Sequence, residues 1–419
     1  MFLPAKVYYC VRADFFHHNH LHTLKVDALR NAGVDVQMIA FVSREDVAAH
    51  GSHYSRAVAD YQTMVKVLPG RIGYDRRSNW LIRIFFLLRL LLRKNIIVHA
   101  HLFDFSPLYI FRKNPLLGRR LSVIVEYEGD IPSETLYRET VDSNDGPQEC
   151  PPPELQETYK QQIKHQALEI SNADTVMVVS DAHLELLEIR HSKKIDHIIF
   201  PTTFDNSYRF SESERERIRR EHQIKDSDLV LVHLGGAVNS WHRFRETCKF
   251  IKNLAGCISG LKFFALVRAE DHQYARSVVS TYEITNITKL FFVEPKCVSA
   301  YLSACDIGLI MRHNHAMTRI VSTSKLGQYI ACGLSVITTG AHAVYNEFIE
   351  KNKLSIRINS NLSLTEDFTQ VICSHRSLTH NIKVRQSRSD LAIEVFVKRN
   401  DQFKRYIETI ARMLSSNST

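Results

Sequence analysis

The chain has 419 residues, 44% of them hydrophobic and 24% charged, with a formal net charge of +9. Its length exceeds one ordinary core and calls for two domains, and its composition is that of a water-soluble globular protein. The basic residues are spread along the chain, with concentrations at Arg71–Arg93 and Arg215–Arg220. No nucleic-acid-binding motif accompanies them, which speaks against a nucleic-acid partner and leaves an anionic membrane surface or a phosphorylated substrate. Eight cysteines without Cys-x-x-Cys or zinc spacing read as reduced thiols. No secretory signal precedes the strand-like run at residues 6–11, so the expectation is a cytoplasmic protein, with the inner face of the cytoplasmic membrane as the other location.

The first half alternates strand-like and helical segments. After Val7–Val11 comes a polar stretch with His17, His18, His20 and His22, read as a substrate loop rather than a metal site. An amphipathic helix through Leu24, Ala28 and Leu29 leads to strands at Val34–Phe41, Val65–Leu68, Ile96–Ala100, Val123–Tyr127 and Thr175–Val179. Trp80–Arg93 is too short and too charged to span a bilayer. It reads as a helix packed on the sheet, with an interfacial helix whose arginines meet anionic lipid as the alternative, and the two are compatible. Asp142–Pro153 is a loop.

A charged helix at Ser211–His222 opens the second half. Strands follow at Leu229–Leu234, Lys262–Val267, Lys289–Val293, Ile307–Met311 and Leu334–Thr338, and a last helix at about Leu391–Leu414. Strands alternating with helices imply parallel, doubly wound sheets. The expected domains are 1–205 and 206–390, with a C-terminal helix, 391–419, packing back on the first.

The most informative stretch is Ser322-Thr-Ser-Lys325-Leu-Gly-Gln328-Tyr-Ile-Ala-Cys-Gly333-Leu-Ser-Val-Ile337. It reads as a helix capped by Thr323 or Ser324, ended by a left-handed glycine at Gly333 and followed by a buried strand. Free N–H groups and the helix dipole make such an N-terminus attractive to phosphate, and Lys325 adds a full charge there. Gln328 shares the face of Lys325.

This stretch resembles the donor-binding signature of family 4 glycosyltransferases, of the group 1 type found in bacterial polysaccharide biosynthesis. Gln328 stands where that family has a ribose-holding glutamate, Ser335 where it has a proline, and Ile320 where it has an earlier glutamate. Ala173–Ser180, Phe200–Asp205 and Ala304–Ile310 resemble further family segments in the right order. The resemblance implies the GT-B fold: two Rossmann-like doubly wound α/β domains facing a cleft.

It also implies transfer of a sugar from a nucleoside-diphosphate sugar to a glycan or lipid-linked acceptor, with retention of configuration and no cofactor. Ligands of open α/β sheets bind beyond the carboxyl ends of the strands. Three loops there supply donor-binding candidates: Gly235, Gly236, Trp241 and Arg243; Arg312 and Arg319; and Ser324, Lys325 and Gln328. Guanidinium groups bind phosphate bidentately. Arg312, Arg319, Lys325 and the helix end could stabilise a leaving diphosphate without a metal. Catalytic candidates are Asp130, Glu134 and Lys325, with His99, His101 and Asp104 on the acceptor side. Two other readings stay open: a non-catalytic nucleotide-sugar-binding protein, favoured by Gln328 and Ile320, and a nucleotide-sugar epimerase, disfavoured by the same losses.

Overall fold

A computed structural model describes every residue except 1–4, 12–19, 46, 49–62, 71–74, 94, 102, 143–146, 205, 342–343, 360–361, 363–365, 399 and 417–419. His17, His18 and Asp205 therefore lie outside the described residues, as do the side chains of His20 and His22. The chain forms two compact units, one of residues 1–132, 152–201 and 400–419, the other of 133–151 and 202–399.

The first unit is built on seven parallel strands, β1 (Lys6–Val11), β2 (Val36–Ser43), β3 (Met64–Leu68), β4 (Ile96–His101), β5 (Leu121–Tyr127), β6 (Thr175–Val178) and β7 (His197–Ile199). Their order is β3-β2-β1-β4-β5-β6-β7. Successive residues of β1 feed opposite layers: Val7, Tyr9 and Val11 join the core that includes Leu29 and Ile410, while Tyr8 and Cys10 join that of Ile82 and Phe86. Helices cover both faces, which is why the strands read as continuous apolar runs.

The second unit carries β8 (Leu229–Leu234), β9 (Leu261–Leu266), β10 (Thr288–Phe291), β11 (Ile307–Ile310), β12 (Ser335–Thr338) and β13 (Ser355–Arg357). All are parallel, in the order β10-β9-β8-β11-β12-β13. Its first and fourth strands are tied at their N-terminal ends by buried Asp306, which accepts from Val230 N at 2.9 Å. Arg215, 2.8 Å away, and Arg219 answer that charge. They also cap the carbonyls of Ser303, Ala304 and Cys305, so the basic run at 215–220 is partly internal architecture.

Two differences from the sequence reading concern chain ends. β7 and β13 are three-residue edge strands, too short to show a period. The single helix expected at about Leu391–Leu414 is interrupted: π-helical turns at Ile393–Lys398 close the second unit, and a new helix, Asn400–Ser416, belongs to the first. The wider turns seat Phe396 in the second core, where its carbonyl accepts from Thr203, while Tyr406 and Ile410 join the first.

Candidate functional site in the second unit

Strand order reverses direction at β8 and β11, so the loops leaving those two strands flank the crevice where an open α/β sheet binds ligands. Tyr329 fixes its floor: its hydroxyl accepts from Leu234 N at 2.9 Å and lies 3.5 Å from Leu309 O, one contact to each strand end. Gly308 makes this possible, since a Cβ there would strike the Tyr329 ring.

After β8 the chain turns at Gly235, with φ of +121°, a conformation that excludes other residues. A Cβ at this position would also land on the ammonium of Lys325. Gly236 packs tightly against Asn239, Asp271 and Arg268, and Asp271 anchors the turn by accepting from Ala237 N at 2.8 Å. The short helix Ser240–His242 follows.

Lys325 lies in the first turn of the Ser324–Ala331 helix, with its Nζ 3.0 and 3.1 Å from the ring nitrogens of His242. Thr323 stands at the N-cap, but contrary to expectation its side chain accepts no hydrogen bond from the helix. Arg312, leaving β11, is 8% exposed and donates to Trp241 O at 2.6 Å. Gly333 has the expected left-handed φ, +81°.

The electrostatics follow from this packing. Burial, then the cations Arg312 and Arg268, hold Lys325 well below the usual lysine range. Burial, with Lys325 and Arg312, keeps His242 well below an ordinary imidazole and pushes His233 down to about 3, so both rings are neutral. Arg312 is pushed down to about 10 by burial and stays charged. A half-buried ammonium pressed by two guanidiniums is a site prepared for an anion.

Sequence reasoning missed several members. His242 and His233 gave no signal beyond their place in and before the glycine loop. Residues 133–151 fold with this unit, bringing Tyr137 OH to 2.8 Å from His313 Nδ1 and Gln148 O to 2.7 Å from His315 Nε2. Burial pushes His313 down to about 4.

Not every candidate joins the cluster. Arg243 is buried as a brace, bonded to Glu246 at 3.2 Å and to Arg312 O at 3.5 Å. Arg319 pairs with Glu149 at 3.0 Å and with Asn314. Gln328 is half-buried one turn after Lys325, and Ile320 is buried. Glu134 is half-buried in the first turn of the Ile131–Thr140 helix.

In the first unit Asp130 is fully buried, bound by both Arg190 guanidinium nitrogens at 2.5 and 2.8 Å and by Gln166 at 2.9 Å. Asp104 accepts from Ser106 N at 2.9 Å. His99 and His101 are enclosed around Glu126, at 2.9 and 3.0 Å from its Oε2, while Lys25 pairs with Oε1. His99 Nδ1 meets Tyr406 OH at 2.8 Å. His101, Glu126 and Glu128 are the group among the described residues with metal-ligand spacing, but the Lys25 ammonium already answers Glu126. The sequence holds one Asp-x-Asp, Asp226-Ser-Asp228, in the turn entering β8, at the opposite end of that strand from the crevice.

No family model and no curated sequence matches this chain. Solved structures do. It is similar to sucrose-phosphate synthase from Thermosynechococcus elongatus, with a TM-score of 0.69 and 10% identity over 99% of this chain and 100% of that one. It is similar also to a glycosyltransferase from Rickettsia africae ESF-5, at 0.64 and 11% over 99% and 100%. A third is Anabaena HepE in complex with UDP, at 0.65 and 12% over 98% and 100%. The fold is GT-B. In GT-B terms, the cluster around Lys325 stands at the switch point of the second Rossmann-like sheet.

Replacing Gly235 by Ala is expected to force the loop out of its φ, at a cost of about 1–3 kcal/mol, and to displace Lys325. The melting temperature should fall accordingly, which scanning calorimetry on the variant reads.

Proposed function

We propose that this protein is a glycosyltransferase that takes its sugar from a nucleoside-diphosphate sugar. One observation carries the reading: at the switch point of the second sheet, half-buried Lys325 stands with buried Arg312 at a helix N-terminus that Thr323 does not cap. That is the chemistry a diphosphate requires. The second unit would be the donor unit and the first the acceptor unit.

As the bond from the sugar to the diphosphate breaks, charge grows on the leaving oxygen, and Lys325, Arg312 and the helix end neutralise it without a metal. The acceptor oxygen bonds to the anomeric carbon, and its proton passes to the leaving phosphate, with retention. Anabaena HepE and an Escherichia coli trehalose-6-phosphate protein, both of similar fold, are described with UDP-glucose and UDP-2-fluoro glucose, which makes UDP-sugars the first to try. The acceptor class we favour is a glycan or lipid-linked glycan of surface polysaccharide synthesis, with the chain working in the cytoplasm.

The test is incubation with a panel of nucleotide sugars, following release of the nucleoside diphosphate. Slow donor hydrolysis, absent from Lys325→Ala, is the expected result, whereas inversion at C2 would identify an epimerase. A second reading, donor binding without turnover, is favoured by Ile320, which is buried and offers no carboxylate where the resemblance places one.

A further inference from the structure

The helix Arg76–Leu92 differs from an ordinary surface helix in being apolar on two faces. Ser78, Ile82, Phe86 and Leu90 point into the core. The opposite face, which meets solvent, is apolar too: Trp80, Leu81, Leu88, Leu91 and Leu92 are 60%, 40%, 51%, 53% and 58% exposed. At 100° per residue these five and half-buried Ile84 fall within one arc of about 120°. Arg77 is the polar residue within that arc, at its N-terminal end. The stripe is held firmly, with Asp75 capping the helix through Ser78 N at 2.7 Å.

A second element extends it. Arg83 bonds to Pro107 O at 3.2 Å and Arg120 to Leu90 O at 3.4 Å, so the segment after β4 lies beside the helix. That segment exposes Ile110 at 56% and Leu116 at 79%.

Charge then says what covers this face. Residues 76–120 hold ten Lys or Arg and one acid, Asp104, a net +9. The other 374 residues hold 44 basic and 44 acidic side chains. The net charge of the protein is thus not spread along the chain, as composition first suggested, but resides in the stretch that carries the apolar stripe. Arg76, Arg77, Lys113 and Arg119 are exposed there.

We propose that this surface docks on an anionic lipid bilayer, with the helix lying in the interface. Trp80 and the leucines enter the headgroup boundary while arginines meet lipid phosphates. Among the described residues no helix is long and apolar enough to cross a membrane, so the contact is one of lying on the surface. The inference stands on the first unit alone and does not depend on the donor reading.

The test uses the full chain and phosphatidylcholine vesicles with and without phosphatidylglycerol. The protein should sediment with the anionic vesicles, come off in high salt, and show a blue shift of tryptophan emission that Trp80→Phe abolishes. Leu88→Glu with Leu91→Glu, both at exposed positions, should weaken binding by at least about tenfold, and Arg76→Glu with Arg77→Glu should do so in a salt-dependent way. Absence of binding to anionic vesicles, equal binding to neutral ones, or undiminished binding of both variants would overturn the proposal. So would a lipid-free dimer that the leucine variant dissolves, since a second copy would then cover the stripe.

Discussion

Lys325→Met is expected to raise the melting temperature of the unliganded protein while removing most of its affinity for nucleoside diphosphates. The lysine is held well below its ordinary value of 10.5, first by burial and then by Arg312 and Arg268. A cation whose folded pKa is depressed penalises the folded state. The penalty is fully present below the folded value and disappears as pH rises through 10.5. Wild-type stability should therefore climb with pH over that window, and the Met variant should not share the climb. Methionine keeps the stem and removes the charge, and relief on the order of 1 kcal/mol or more corresponds to a melting temperature about 2–4 °C higher. Binding moves the other way. Loss of a charge-assisted contact to phosphate costs about 1.5–3 kcal/mol, or roughly 10- to 150-fold in affinity. Scanning calorimetry across pH, with and without UDP, separates the two effects.

Glu126→Gln should be the most damaging conservative change in the first unit. Glu126 is fully enclosed, and although burial raises its pKa, Lys25, His101 and His99 together hold it well below the carboxylate range. The amide keeps the shape but leaves the buried Lys25 ammonium without an opposing charge. Breaking such a pair from one side costs about 3–5 kcal/mol, a fall of about 10 °C or more in melting temperature. Adding Lys25→Met should restore much of the loss, because an apolar replacement of both partners leaves no stranded charge. The carboxylate's contribution is present above its unfolded pKa and lost as pH falls through the folded one, so the acid limb of wild-type unfolding should be steeper than that of the double variant. Equal melting temperatures for wild type and Glu126→Gln would remove this cluster from any structural role.

What the sequence disclosed depended on how local the signal was. Both sheets were legible because each central strand is a run of apolar residues bounded by turns, as in Leu229–Leu234. The loops flanking the crevice were legible because Gly235, Arg312 and Lys325 carry their chemistry in residue type alone. Contacts that join distant positions were not. Lys25 and Glu126 are 101 residues apart, Asp130 and Arg190 60, and His242 and Lys325 83. Nothing near Asp130 shows that Arg190 will close over it. Tyr137 was hidden for a related reason, since its segment folds with the second unit although it follows strands of the first. The Arg76–Leu92 helix was legible as a helix, but only the structure shows that Ile82 and Phe86 satisfy the core and leave Trp80, Leu88 and Leu91 outside.

The central claim is that the crevice at β8 and β11 binds a nucleoside diphosphate through Lys325. Its most direct test is calorimetric titration of the wild-type chain and Lys325→Met with UDP and other nucleoside diphosphates, in two buffers of different ionisation enthalpy. An anion arriving beside a lysine of depressed pKa raises that pKa, so saturable binding near or above the lysine's folded pKa should take up protons from the buffer. The Met variant should bind weakly and without that uptake. Absence of binding by any nucleoside diphosphate, or binding and proton uptake indifferent to Lys325→Met, would contradict the account.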